Sequence, residues 1–471
     1  MEKAKFGIIG LGTMGRNFLL NVADSGFSCS GFDVNPEMVE LLNKEGGEYG
    51  VVGYSTLAEF LNSLETPRNI MLLVPAGEIV DAIIHELTPH LTPHGLVIDA
   101  GNSHFPDTER RETEMESLDF HFLGVGVSGG AEGARRGPSI MVGGNKEVYE
   151  RVRPIFEAVS AQVGADPCAA WLGTGSAGHF VKMVHNGIEY GLMELICEAY
   201  DFLKRGLGLS NAEAADVFGV WNSGNLQSFL IEITEKILRK KDDETGNDLV
   251  DMILDTAGQL GTGKWTSQVA LDMGVPVPTI DTAVSMRQIS ALKMKRTEIS
   301  TLLDFNEPVS VDAATREESI KELGEALFLC FIITYTQGMA LLTKASGEKN
   351  YNLKLADISR IWRGGCIIRS SLLEDFRKVY AKTPDIDNLL ESDHFKQIVQ
   401  NSRNSLLKTI VKFNALEIPS MAFSTSSNYL TAFATARLPA NLLQAQRDFF
   451  GAHTYRRIDK EGIFTTHWEA L

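Results

Sequence analysis

The stretch "FGIIGLGTMGRNFLLNVADSG", residues 6–26, decides the fold. Its apolar opening runs into Gly10, Gly12 and Gly15 at G-x-G-x-x-G spacing, and a helical run begins there. Glycines at these places allow a tight turn and close approach of a pyrophosphate, whose charge meets the free N–H groups of a helix N-terminus. The next strand-like run, "SCSGFDV" at 28–34, ends near the acidic Asp33, at the distance where a carboxylate meets ribose hydroxyls. The stretch therefore predicts a dinucleotide-binding unit. Gly10, Leu11, Gly12, Thr13, Met14 and Gly15 form its phosphate loop, and Asp33, Val34 and Asn35 its ribose end.

Beyond this unit, "NIMLLVP" at 69–75, "GLVIDAGN" at 95–102, "FHFLGVGVSGG" at 120–130 and "SIMVGG" at 139–144 keep the rhythm of short apolar runs between amphipathic segments. That rhythm predicts a largely parallel sheet covered by helices. From about Ser176 the texture changes to long helical periodicities with few β-branched runs. The expected organisation is an α/β Rossmann-type domain over 1–176, an all-helical domain over 177–437 and a tail over 438–471 that begins helically and loses its period. The polar stretch "DFNEPVSVDAATREES" at 304–319 reads as a surface connection.

The 471 residues are too many for one core, and 44% hydrophobic with 22% charged residues is ordinary for a globular protein. With 44 basic against 61 acidic residues, the net charge of −17 speaks against nucleic acid and anionic membrane surfaces as partners. Any anionic ligand must be held by local donors. The opening "MEKAKFGIIG" has no export-signal pattern, and five cysteines without a CxxC pair suggest neither a disulfide framework nor a zinc site. A reducing cytoplasm is expected. "ALFLCFIITYTQGMALL", from Ala326, is interrupted by polar residues and reads as a buried helix.

A second stretch, "VKMVHNGIEYG" at 181–191, carries the chemistry. On a helix at 100° per residue, Lys182, His185, Asn186, Glu189 and Tyr190 share one face. Gly187 and Gly191 each cost a helix about 1 kcal/mol relative to alanine, which implies close approach by a ligand or another backbone. A desolvated lysine can act as a base and a partly buried glutamate as an acid. A Lys182 and Glu189 pair therefore suits proton transfer in both directions.

The motifs "GHFVKMVHNGIEYG", "GVGVSGGAEGARRGPSIMVGG", "GTGKWT", "IWRGGCIIRS" and "LPANLLQAQRDFFGAHTY" resemble the 6-phosphogluconate dehydrogenase family, and the resemblance covers essentially the whole chain. It implies that Lys182 takes the proton of the C3 hydroxyl of 6-phosphogluconate, that the 3-keto acid loses CO2, and that Glu189 protonates the enediol, with no metal. Asn102, Ser128, Gly129, Gly130, His185 and Asn186 then orient the carboxylate and hydroxyls. The phosphate falls to Tyr190, Thr262, Arg287 and, from the tail, Arg447 and His453. Val74, Pro75, Ala76 and Asn102 join the cofactor loop. The resemblance also implies a homodimer in which each tail serves the neighbouring subunit.

The chain departs from the family pattern in three places. Leu260 and Pro75 stand where lysines are common, and "DVN" at 33–35 replaces the "NRT" whose arginine grips the 2′-phosphate of NADP. Asp33 would repel that phosphate, and many NADP users have alanine in place of Gly12, so NAD is the expected cofactor and NADP the less favoured one. The rival readings are a β-hydroxyacid dehydrogenase acting on an unphosphorylated acid such as gluconate, and a catalytically silent dinucleotide-binding regulator.

Overall fold

The computed structural model describes residues 3–303 and 315–468, so positions 304–314 of the expected polar connection lie outside the described residues. Strands β1 (Phe6–Ile9), β2 (Cys29–Phe32), β3 (Val52–Tyr54), β4 (Asn69–Leu72), β5 (Leu96–Asp99), β6 (His121–Ser128), β7 (Ser139–Gly144) and β10 (Ala169–Gly173) form one sheet. Its order is β10-β7-β6-β5-β4-β1-β2-β3, and β8 (Gln162–Val163) and β9 (Asp166–Pro167) pair separately. All neighbours run parallel except β6 and β7. Helices α1 (Thr13–Asp24), α2 (Pro36–Gly46), α3 (Leu57–Ser63), α4 (Glu78–Leu87), α5 (Phe105–Ser117), α6 (Gly130–Arg136) and α7 (Lys146–Val159) fill the connections.

Burial on both faces follows from the two-residue period of a strand. Phe6 and Ile8 of β1 pack with Phe18 and Phe156 on one side, whereas Ile9 packs with Phe60, Ile70 and Leu72 on the other. The strand order reverses at β1, with β4 on one side and β2 on the other. Such a reversal opens a crevice at the carboxyl ends of the strands, where ligands of open α/β sheets bind.

The chain then becomes helical: α8 (Ala177–Asp201), α9 (Asn211–Asn222), α10 (Phe229–Arg239), α11 (Leu249–Met252), α12 (Thr262–Asp272), α13 (Pro278–Ala291), α14 (Lys293–Leu303), α15 (Arg316–Glu348), α16 (Leu355–Ile361), α17 (Leu372–Lys382), α18 (Asp393–Ala415), α19 (Met421–Phe433) and α20 (Ala440–Gly451). By length and composition α15 is apolar enough to cross a membrane, but most of its apolar window is buried, packed on α8, α18 and α19.

The first turns of α8 lie directly on the sheet. A β-carbon on Gly126 of β6 would come within 2.4 Å of the Lys182 β-carbon, and one on Gly178 within 2.3 Å of the Gly124 carbonyl oxygen. Only glycines permit a helix to approach a strand this closely, so the sheet face at β6 fixes the height of α8.

The tail is more ordered than its loss of helical period suggests. Around the buried Asp448 carboxylate, the Thr454 and Thr466 backbone N–H groups, the Thr465 hydroxyl and the Trp468 indole N–H donate at 2.9, 3.0, 2.9 and 2.9 Å. One carboxylate thus folds the irregular end back onto α20.

Candidate active site

At the crevice, Gly10 adopts φ +97°, and a β-carbon there would lie 2.5 Å from the Leu73 carbonyl oxygen. A β-carbon on Gly15 would lie 1.8 Å from the Gly10 carbonyl oxygen, so helix and strand pack through these two positions. At Gly12 nothing lies within 4 Å, and no side chain caps the start of α1. Open space above an uncapped helix N-terminus suits the pyrophosphate of a dinucleotide. The same space would admit an alanine methyl, so Gly12 carries no steric argument about which dinucleotide is bound. Thr13 and Met14 begin α1, while Leu11 donates its N–H to Asp33 Oδ2 at 2.7 Å. Asp33 Oδ1 accepts from the Asn35 N–H at 2.8 Å, and Val34 is 84% exposed. Val74, Pro75 and Ala76 line the turn after β4, opposite Gly10.

The second group stands on α8, whose length places Lys182, His185, Asn186, Glu189 and Tyr190 in successive turns of one helix. Lys182 is only 7% exposed and His185 is fully buried. Among the described residues no hydrogen bond or ion pair holds the Lys182 ammonium. Burial pulls its pKa below the ordinary lysine value, against the opposing influence of Glu189. The Glu189 carboxyl is pushed up by burial, with Lys182 and Arg287 acting the other way. His185 is held well below its usual value by burial first and by Lys182 second, so it is a neutral imidazole.

Hydrogen bonds draw the surrounding elements together. Ser128, at the end of β6, meets His185 Nε2 at 3.2 Å, and His185 Nδ1 meets Asn186 Oδ1 at 3.0 Å. Asn186 Nδ2 donates to the Thr262 hydroxyl at 3.1 Å, at the start of α12. Gly129 and Gly130 lead into α6 with φ of 117° and 62°. The Arg287 guanidinium stacks over the Tyr190 ring at 3.5 Å and donates to the Gly258 carbonyl at 3.0 Å. Asn102 lies exposed in the loop between β5 and α5. These residues surround a lysine whose pKa is lowered by burial beside a carboxyl whose pKa is raised by burial, the two directions that favour proton transfer both ways.

One expectation changes. Gly187 and Gly191 do not face a ligand: β-carbons there would meet the Thr266 and Thr334 side chains of α12 and α15, each at 2.6 Å. They let three helices pack closely. Leu260, where the family pattern has a lysine, is 91% exposed. Arg447 and His453 lie on the exposed tail, where Arg447 hydrogen-bonds Gln444 and His453 stacks edge-on with Phe450. Among the described residues, no hydrogen bond or ring contact joins either of them to the α8 cluster.

Two family signatures match the chain in succession. The signature described as "NAD binding domain of 6-phosphogluconate dehydrogenase" matches residues 5–173, and "6-phosphogluconate dehydrogenase, C-terminal domain" matches residues 178–468. The chain belongs to the 6-phosphogluconate dehydrogenase family. It is 50% identical over 468 residues to the NADP(+)-dependent, decarboxylating 6-phosphogluconate dehydrogenase of Bacillus subtilis (strain 168), covering 99% of this chain and 100% of the relative. With the decarboxylating enzyme of Escherichia coli (strain K12) it shares 47% over 469 residues, covering 99% and 100%. The Plasmodium falciparum 6-phosphogluconate dehydrogenase, solved in apo form, with its cofactor NADP+ and with its substrate 6-phosphogluconate, superposes with a TM-score of 0.95 at 43% identity, covering 98% of this chain and 100% of that one.

Sequence reasoning passed over Thr108, Arg111 and His179. The Thr108 hydroxyl meets His179 Nδ1 at 2.7 Å, which ties α5 to the turn of α8 preceding Lys182. The run "DTERRE" looks like an ordinary charged helix face. The signal available was the three- and four-residue spacing of Thr108, Arg111 and Met115, which places them on the inward face of α5.

Proposed function

We propose that the chain oxidises and decarboxylates 6-phosphogluconate to ribulose 5-phosphate and CO2, the pentose phosphate pathway reaction, with NAD preferred over NADP. The observation that carries the reading is the buried pair on α8, with the pKa of Lys182 pulled down and that of Glu189 pushed up. When bound, the nicotinamide supplies the acceptor for the hydride at C3. Lys182 removes the C3 hydroxyl proton, and as an ammonium it then hydrogen-bonds the new carbonyl oxygen while CO2 leaves. That carbonyl accepts the electrons of the breaking C–C bond. Glu189 protonates C1 of the enediol. Asn102, Ser128, Gly129, Gly130, His185 and Asn186 orient the sugar acid. Tyr190, Thr262 and Arg287 hold its phosphate together with Arg447 and His453 of a second copy, because arginine binds phosphate oxygens with a planar fork.

NAD preference rests on residues 33–35. Asp33 is fixed by two backbone N–H groups, and each of its oxygens keeps a lone pair for a ribose hydroxyl. The same carboxylate repels a 2′-phosphate, and the exposed Val34 offers it no cation. Arg16, on α1, is engaged with Glu45 at 2.9 Å. The NADP(+) in the Bacillus subtilis relative's name and in the Plasmodium falciparum complex favours the other cofactor. The reading for this chain therefore stands on its own residues. A cytoplasmic homodimer with exchanged tails completes the proposal.

Initial rates with 6-phosphogluconate and gluconate, each with NAD and with NADP, test it. The expected order places 6-phosphogluconate with NAD first, and Asp33→Asn with Val34→Arg should shift kcat/KM toward NADP. Preference for gluconate would remove the phosphate roles, and preference for NADP would overturn the cofactor reading. Absence of CO2 release from every pair would leave only the silent regulator.

A further inference from the structure

Arg111 is a buried cation with all of its side-chain N–H groups engaged. Its residue is 1% exposed, on the inward face of α5. The Nε–H donates to Asp81 Oδ1 at 2.7 Å, and Nη2 donates to Asp81 Oδ2 at 3.0 Å and to the Gly77 carbonyl at 2.9 Å. Nη1 donates to Asp99 Oδ2 at 3.2 Å and to the Ser103 hydroxyl oxygen at 3.3 Å. Five N–H groups therefore meet five acceptors, the full capacity of a guanidinium.

The acceptors belong to two loops that leave adjacent strands. Gly77 and Asp81 end the turn after β4 and begin α4, while Asp99 and Ser103 bracket the turn after β5. Asp99 is itself fully buried and holds its own turn by accepting from Gly101 N–H at 3.1 Å and from the Ser103 hydroxyl at 2.7 Å. Val74, Pro75 and Ala76 immediately precede the fastened Gly77 on one loop, and Gly101 and Asn102 lie between the fastened Asp99 and Ser103 on the other. The loops also touch, since a β-carbon on Gly101 would lie 3.1 Å from the Val74 carbonyl oxygen. Three residues earlier on α5, Thr108 contacts His179, one turn before Lys182 on α8.

We infer that Arg111 is a positioning residue that sets the nicotinamide end of the cofactor site, by clamping the turn after β4 to the turn after β5 and holding both in register with the catalytic helix. The inference rests on the proposed cofactor role of Val74, Pro75, Ala76 and Asn102, and takes the nicotinamide to be the part of the cofactor they meet. The effect of Arg111 passes through the Gly77 carbonyl and the Asp99–Ser103 turn. Among the described residues, none of the guanidinium's hydrogen bonds goes to the phosphate loop at Gly10–Gly15, so the inferred effect is confined to the nicotinamide end.

That asymmetry supplies the test. Arg111→Lys keeps the charge but loses the planar fork, so the two loops can no longer be held together. Calorimetric titration of the whole enzyme with NADH and with ADP-ribose, which lacks the nicotinamide ring, separates the two halves of the site. NADPH and 2′-phospho-ADP-ribose replace them if NADP is the preferred cofactor. The Kd for NADH is expected to rise about tenfold, since small misplacements at a reacting centre have effects of this order or more. The Kd for ADP-ribose should stay within about twofold, with KM for the nucleotide raised and kcat lowered. If Arg111→Lys does not accumulate as folded protein, Ser103→Ala leaves both charges paired and should show the same contrast at about threefold. Equal weakening of both probes, or no change in either, would overturn the inference. Failure of the unaltered enzyme to bind either probe would instead count against the proposed function.

Discussion

Two buried cations, Arg111 beneath the sheet's carboxyl edge and Lys182 on α8, receive opposite treatment. Arg111 is 1% exposed with every donor satisfied, whereas Lys182 is 7% exposed and makes no hydrogen bond among the described residues. Coulomb attraction and hydrogen bonds compensate the first for lost hydration, and its pKa is raised although burial alone would lower it. Nothing comparable compensates the second, and burial pulls its pKa down. A satisfied buried charge fixes geometry, while an unsatisfied one is available for chemistry.

The largest expected effect probes the chemical side of this contrast. Lys182→Ala should lower kcat by about 10²- to 10⁴-fold, as loss of a general base does, while nucleotide binding stays near native because the phosphate loop is on the other domain. Mixing these subunits with Arg447→Ala subunits should restore part of the activity if the tails exchange. A Lys182→Ala enzyme with near-native reduction rates would remove the lysine from its role, and wholly inactive mixed dimers would assign each tail to its own chain.

Next in size is the structural side. Arg111→Met leaves the buried Asp99 carboxylate without its cation, and breaking a buried pair in this way costs about 3–5 kcal/mol. Urea denaturation measures it, and a loss below about 1 kcal/mol would mean that Asp99 is compensated elsewhere.

The smallest effect has the opposite sign. Lys182→Met should stabilise the fold at neutral pH. The unfolded lysine binds its proton up to the ordinary value near ~10.4, whereas the folded one gives it up at lower pH. The native lysine therefore penalises folding fully below the lowered folded value, and the penalty fades as pH rises to the unfolded one. The gain from Lys182→Met should shrink across that window. A gain independent of pH would point to packing instead of charge.

Legibility in the sequence followed the length and purity of the local signal. Runs such as "FGIIG" and "GLVIDAGN" form strands β1 and β5 where the alternation predicts them. By contrast, β3 has three residues, "VGY", and β10 is "AAWLG", whose small side chains give little strand signal. Both are strands because a neighbour was available to pair with them. The clustering of Lys182, His185, Asn186 and Glu189 was readable because one helix holds all four. The reason for Gly187 and Gly191 was not, since Thr266 and Thr334 arrive from distant helices.

The sequence by itself therefore determined the longer elements, the dinucleotide fingerprint and the clustering of Lys182, His185, Asn186 and Glu189 on one helix, because each depends on periodicity or spacing within a few turns of chain. Only the tertiary structure decided which of the charges on those elements are satisfied. Arg111 lies in an unremarkable run of acidic and basic residues, and its five acceptors come from positions 77 to 103. Lys182 is set apart from other lysines by glycine strands beneath it and by burial among elements far away in sequence. Desolvation and hydrogen-bond satisfaction are sums over neighbours in space, and no local pattern along a chain contains that sum.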